Sequence, residues 1–81
     1  GKNIKYPTIA KENNIQGRVY VTFVVDKDGK VKDAKVLRGI GGGCDEEALR
    51  VVKNMPEWKP GRQNGRSVLV QYNLPVVFNL K

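Results

Sequence analysis

Histidine is absent from this 81-residue chain. That removes the commonest general base and the commonest metal ligand together. A single cysteine, Cys44, cannot close an internal disulfide, and it excludes a disulfide scaffold or a multi-cysteine zinc site. No apolar run approaches the roughly 18 residues that span a bilayer, and no targeting segment is expected in it. Aromatic residues make up only 7%. An RNA-binding sheet needs aromatic pairs on its central strands, and Tyr20 and Tyr72 alone do not supply them, so nucleic acid is not the expected partner. Acidic residues are few, 8 against 15 basic, for a net charge of +7. Such an excess suits a soluble basic surface, an acidic partner or an anionic membrane surface. The chain opens on Gly1-Lys2 without a methionine, and it is expected to be a piece of a longer protein whose anchor or linker lies upstream.

Eighty-one residues make one small domain with one core. Pro7 suits the start of a short helix through Ile9 and Ala10, which Asn13-Asn14 closes because Asn tolerates the left-handed conformation. Arg18 to Asp26 alternates, with Val19, Val21, Phe23 and Val25 on one face and Tyr20, Thr22 and Val24 on the other, as a strand does. Asp26-Lys27-Asp28-Gly29 is a turn. Lys30 to Arg38 is a second strand whose apolar parity shifts from Val31 to Ala34 and Val36, which predicts a bulge near Lys32-Asp33. Gly39 to Gly43 reads as a flexible connection. Asp45 is the expected N-cap of a helix in which Ala48, Leu49, Val52 and Met55 form one stripe, and Pro56 ends it. Trp58 anchors a turn segment on the core, and Asn64-Gly65 is a further turn.

The most informative stretch comes last. Ser67 to Leu80 carries no charge, and every even position from Val68 to Leu80 is apolar or aromatic. Period two over that length predicts one long strand with a buried face. The pattern gives an α+β fold: a three-stranded antiparallel sheet of order 2-1-3, packed by one main helix, with a short N-terminal helix. Both outer strands are then edges. The second guards itself with Lys30, Lys32, Asp33, Lys35 and Arg38; the third has only Pro75, which removes a single donor. An edge so open suits strand addition, in which a partner backbone pairs with Ser67, Val68, Leu69, Val70, Gln71, Tyr72, Asn73 and Leu74. Self-pairing in a homodimer and internal covering are the competing readings.

Other candidates fall away. The glycines 39–43 lack the Gly-Lys-Ser/Thr ending of a phosphate loop and precede three acids, Asp45, Glu46 and Glu47. Asp26 and Asp28 lack the remaining ligands of a calcium loop. Cys44 lies just before a helix N-terminus, but with no histidine as its base it reads as a buried plug. No metal, no cofactor and no catalytic residue is expected, and the reading is not an enzyme.

Five motifs then stand in order: Tyr6-Pro7 with Ala10; Ile15-Gln16-Gly17-Arg18-Val19; Val24-Val25-Asp26-Lys27-Asp28-Gly29-Lys30-Val31; Cys44-Asp45-Glu46-Glu47-Ala48-Leu49; and Trp58-Lys59-Pro60-Gly61. Together they resemble the C-terminal domain of the TonB family, from about Tyr6 to Leu80. Cys44 departs from the bulky apolar residue and Asn14 from the glycine that the family often has there. Pro75 limits how far a partner strand can pair. The resemblance implies a periplasmic domain at residues 6–81, with 1–5 as the end of a linker to an inner-membrane anchor. It implies capture of the TonB box of TonB-dependent outer-membrane transporters on the last strand, and force drawn from an ExbB-ExbD-like motor. It adds a contact from Lys2, Asn3, Ile4 and Lys5 to the transporter. A periplasmic sensor domain of a signalling protein uses the same fold and stands as the alternative, beside self-pairing.

Overall fold

The computed structural model describes residues 4–55 and 58–80. Pro56, expected to end the main helix, and Lys2 and Asn3 lie outside them. Seven elements follow one another: α1 (Thr8–Glu12), β1 (Gly17–Val25), β2 (Val31–Arg38), α2 (Cys44–Lys53), β3 (Gly61–Gln63), β4 (Arg66–Val68) and β5 (Val70–Phe78). Three strands form an antiparallel sheet of order β2-β1-β5, while β3 and β4 form a separate two-stranded hairpin. The fold class and the order 2-1-3 are those the pattern predicts.

β1 is central because its β-branched and aromatic residues fill both sides of a pleat. Val19, Val21, Phe23 and Val25 are buried, and they meet Val76 and Phe78 of β5 and Ala48, Val52 and Cys44 of α2 in one core. β1 pairs with β5 without interruption from Gly17↔Phe78 to Val25↔Val70. Its register with β2 slips twice, once between Thr22 and Val24, where the partners run from Lys35 to Lys32. Asp33, the extra residue there, has a φ of 53°. This is the bulge expected near Lys32-Asp33, and it keeps Val31, Ala34 and Val36 packed against the core despite their shifted parity. Asn14 is left-handed, with a φ of 54°, and ends the α1 turn.

Two expectations need correcting. The charge-free stretch is not one strand: β4 and β5 are separated at Leu69, and Asn79 and Leu80 lie beyond β5. The reason is that Asn64 and Gly65, with φ of 53° and 77°, form a primed two-residue turn that folds 61–63 back on 66–68. β1 meanwhile ends at Val25, where its turn leads the chain away, so the ladder on β5 stops at Val70. The second correction concerns Asp45. The helix begins at Cys44 with Gly43 as its cap, and the Asp45 carboxylate instead accepts N–H bonds from Ile40 (2.9 Å) and Gly41 (3.2 Å). The glycine connection is therefore not slack. Gly42 has a φ of 67°, where glycine is favoured, and an added Cβ would make the Ile15 side chain shift from 2.6 Å and crowd the Ala10 Cα at 3.3 Å.

Candidate functional site

The site is built on β4 and β5. In an antiparallel ladder, the N–H and C=O groups of successive residues face opposite edges. Asp26 donates its N–H to the Lys30 carbonyl at 2.9 Å, toward β2. Val25 therefore faces β5, and its partner Val70 faces β1. Carried along the strand, the alternation turns Tyr72, Leu74, Val76 and Phe78 inward and Gln71, Asn73, Pro75 and Val77 outward. Pro75 agrees with this phase: it lies inside unbroken pairing, opposite Tyr20, where only an outward position tolerates a missing N–H. On β4, the tight turn makes Gln63 and Arg66 a hydrogen-bonded pair, so Val68 faces β3 and Ser67 faces out. The phase is the same on both sides of Leu69.

The result is a continuous outward row from Ser67 through Leu69 and Gln71 to Asn73, closed by Pro75. Two different strands, β3 and β1, support it from behind. Among the described residues no strand pairs with its open side. The molecule is drawn out along this run, 49 × 20 × 19 Å, since thirteen residues of strand span about 40 Å.

Side chains keep the row clear. The Gln71 amide reaches back over the sheet and donates to Thr22 Oγ1 at 3.0 Å; that hydroxyl donates in turn to the Tyr72 carbonyl at 3.2 Å. Thr22 is only 2% exposed although it lies on the face away from α2. Behind the row, Tyr72 stacks on Phe23 with centroids 5.7 Å apart and tilts on Trp58 at 5.2 Å, while Phe23 and Trp58 meet at 5.3 Å. Trp58 is fixed by its N–H to the Gly29 carbonyl, 2.7 Å. Gly29 has to be glycine: its φ is 82°, and a Cβ would fall 2.1 Å from the Trp58 carbonyl oxygen. The exposed apolar side chains beside the row are Leu69 and Val77. Sequence reasoning singled out the strand and Trp58 but not Thr22, whose role depends on cross-strand register and has no signal of its own.

The expected N-terminal contact lies elsewhere. Ile4 packs on the core, and Tyr6 meets Phe78 edge-on at 5.5 Å while its hydroxyl donates to the Ile15 carbonyl. The Lys5 N–H bonds Glu47 Oε2 at 2.7 Å. Phe78 is seven residues from Gln71, about 23 Å along the strand, so the structure does not bring Ile4 and Lys5 to the open row. Cys44 is fully buried at the start of α2. Burial, and then the nearby Asp45 and Glu46 carboxylates, push its thiol up, away from a reactive thiolate.

Glu47 ties the N-terminal segment to α2. It takes two bonds from Arg50, at 2.9 and 2.6 Å, besides the one from Lys5. Arg50 above all, with help from the Lys5 N–H, holds the Glu47 carboxyl at about 2, below its ordinary 4.5. A carboxyl whose folded pKa is depressed stabilises the fold above its unfolded pKa and loses that stabilisation as pH falls through the folded one. Glu47→Gln should therefore cost about 1 kcal/mol at neutral pH, screened as a surface group is. The gap between variant and wild type should narrow steadily as pH falls from about 5 through 2 in urea unfolding; a gap undiminished at pH 2 would contradict it.

Among the described residues no group of three or more His, Cys, Asp or Glu is placed to hold a metal ion, and no helix is long and apolar enough to cross a membrane. Residues 2–80 match the family model described as Gram-negative bacterial TonB protein C-terminal. The chain is 26% identical over 76 residues to Protein TonB of Pseudomonas aeruginosa, covering 94% of this chain but 22% of that relative. Two NMR solution structures of the Helicobacter pylori TonB C-terminal domain superpose with a TM-score of 0.75 each. That of residues 194–285 is 28% identical and covers 99% of this chain and 84% of its own; that of residues 179–285 is 27% identical and covers 99% and 72%. With all but its first and last residues inside one family model, the chain belongs to the Gram-negative bacterial TonB protein C-terminal family.

Proposed function

We propose that this domain captures the TonB box of outer-membrane transporters by strand addition to the row from Ser67 to Leu74, and transmits a pull along it. The observation that carries this reading is the open, in-phase row of backbone groups, closed at one end by Pro75. Strand addition takes its affinity from main-chain bonds, so one domain serves many transporters whose segments differ in side chains. Load along paired strands is shared by several such bonds. The pull comes from an ExbB-ExbD-like proton-driven motor, reached through a longer protein anchored in the inner membrane; residues 1–5 are the end of its linker. Lys2, Asn3, Ile4 and Lys5 make a second contact with the transporter. The net charge of +7 speeds encounter with acidic transporter surfaces.

Titration of the isotopically labelled domain with a TonB-box peptide tests the reading. Amide shifts should concentrate on 67–74 and leave the β2 edge, 31–38, unmoved. Shifts centred on β2 would overturn it. A doubled mass in sedimentation, with the same amides protected before peptide is added, would favour self-pairing instead.

A further inference from the structure

Basic residues from separate stretches of the chain are gathered by the sheet. Cross-strand pairing puts Arg38 opposite Tyr20 and Lys35 opposite Thr22. Arg18 shares their face, since Tyr20 and Thr22 lie on the side of β1 away from the buried Val19 and Val21. Lys32, opposite Val24, joins the same face but is engaged by Asp26 at 3.3 Å. Arg18, Lys35 and Arg38 are exposed and, among the described residues, form no ion pair. Asp33 is the only acid in the three strands. The acids cluster instead in the other layer, at Asp45, Glu46 and Glu47 of α2. The helical layer is mixed in sign, since Lys11, Arg50 and Lys53 accompany those acids, whereas the free face of the sheet is almost wholly basic.

We propose that this free face of the sheet docks on the surface of an anionic phospholipid bilayer, with Arg18, Lys35 and Arg38 meeting headgroup phosphates. The cations are spread over about 13 Å of flat sheet, from the level of Arg18 to that of Thr22, which fits an array of headgroups better than one small anion. Val77 and Leu37, 54% and 57% exposed, lie at the flanks of the patch, where apolar side chains enter a headgroup layer. A nucleic acid would need stacking platforms, and the face offers only the half-buried Tyr20. Docked flat, the domain still presents the open side of β5 sideways, so lipid and an added strand bind together.

Co-sedimentation with phosphatidylcholine vesicles, with and without phosphatidylglycerol, is the test. Wild type should bind only the anionic vesicles, and less so as salt rises. R18E/R38E should lower that partition by more than roughly 25-fold, since losing each basic residue near an anionic leaflet costs about fivefold and reversal adds repulsion. K11E/K53E, on α1 and α2, changes the net charge equally, from +7 to +3 by two reversals of two units, and should lower it by no more than about threefold. R18Q/R38Q should act in the same direction as the reversal, but less. Equal losses in the two reversal variants would reduce the effect to net charge and overturn the proposal. Binding to neutral vesicles as well, or to single-stranded DNA but no vesicle, would overturn it too. Peptide capture by R18E/R38E, read separately, should be unchanged.

Discussion

Gln71→Pro is expected to abolish capture of an extended segment, raising Kd by about 100-fold or more. The Gln71 N–H faces the open side, by the same phase that puts Pro75 outward. Proline there removes the donor at the centre of the row and sets its ring where the partner's carbonyl would lie. The carbonyl left unpaired costs about 1–3 kcal/mol, and steric exclusion adds to it. The domain itself should survive, because β5 already carries an outward proline four pairs further on. Gln71→Ala loses only the side-chain bond to Thr22 and should shift Kd by less than about threefold. Tyr72 is the internal control: its N–H faces β1, so Tyr72→Pro should unfold the domain rather than merely blunt it. Calorimetry with a TonB-box peptide decides the matter. Comparable affinities for Gln71→Pro and Gln71→Ala would remove backbone pairing on β5 from consideration.

The second large effect is expected at Phe23. The residue is 1% exposed and its ring meets both Trp58 and Tyr72, the side chains that back the outward row. Truncation to alanine removes buried surface, leaves a cavity and breaks two ring contacts, a loss of about 3–5 kcal/mol. An 81-residue domain has a total stability of only about 4–12 kcal/mol. The melting temperature should therefore fall by roughly 15–30 °C. Phe23→Leu keeps most of the volume and should cost roughly a third as much. If thermal unfolding showed Phe23→Ala within a few degrees of wild type, the aromatic group would not be the support assigned to it.

Family membership places this domain in the periplasm and among transduction and binding modules rather than enzymes. The chain spans about a fifth of the length of its curated relative. The motifs that signal the family are mostly those that fix its architecture. Asp26-Lys27-Asp28-Gly29 matters because Asp26 Oδ1 accepts the N–H groups of Asp28 and Lys30, both at 2.9 Å, while Gly29 alone leaves room for the Trp58 carbonyl. These bonds, that from Lys30 foremost, hold the Asp26 carboxyl below its usual range. The turn, the tryptophan and the edge strand are thus one unit, though they lie far apart in the chain.

Sequence by itself determined the local facts: strands at β1 and β2, the bulge at Asp33, the apolar stripe of α2, the turn at Asn64-Gly65 and an unguarded final stretch. Each follows from side-chain periodicity or from a residue's own φ preference, which need no distant partner. Tertiary structure alone decided where the ladder on β5 stops, that β3 backs the first part of the row, that Asp45 ties the glycine connection, and that Arg18, Lys35 and Arg38 share a face. The first and last depend on register between segments as many as fifty residues apart, as Thr22 and Tyr72 are, and alternation within one segment carries no record of what lies across from it. The Asp45 bonds and the β3 hairpin are local, but they turn on how the chain packs, which periodicity does not record either.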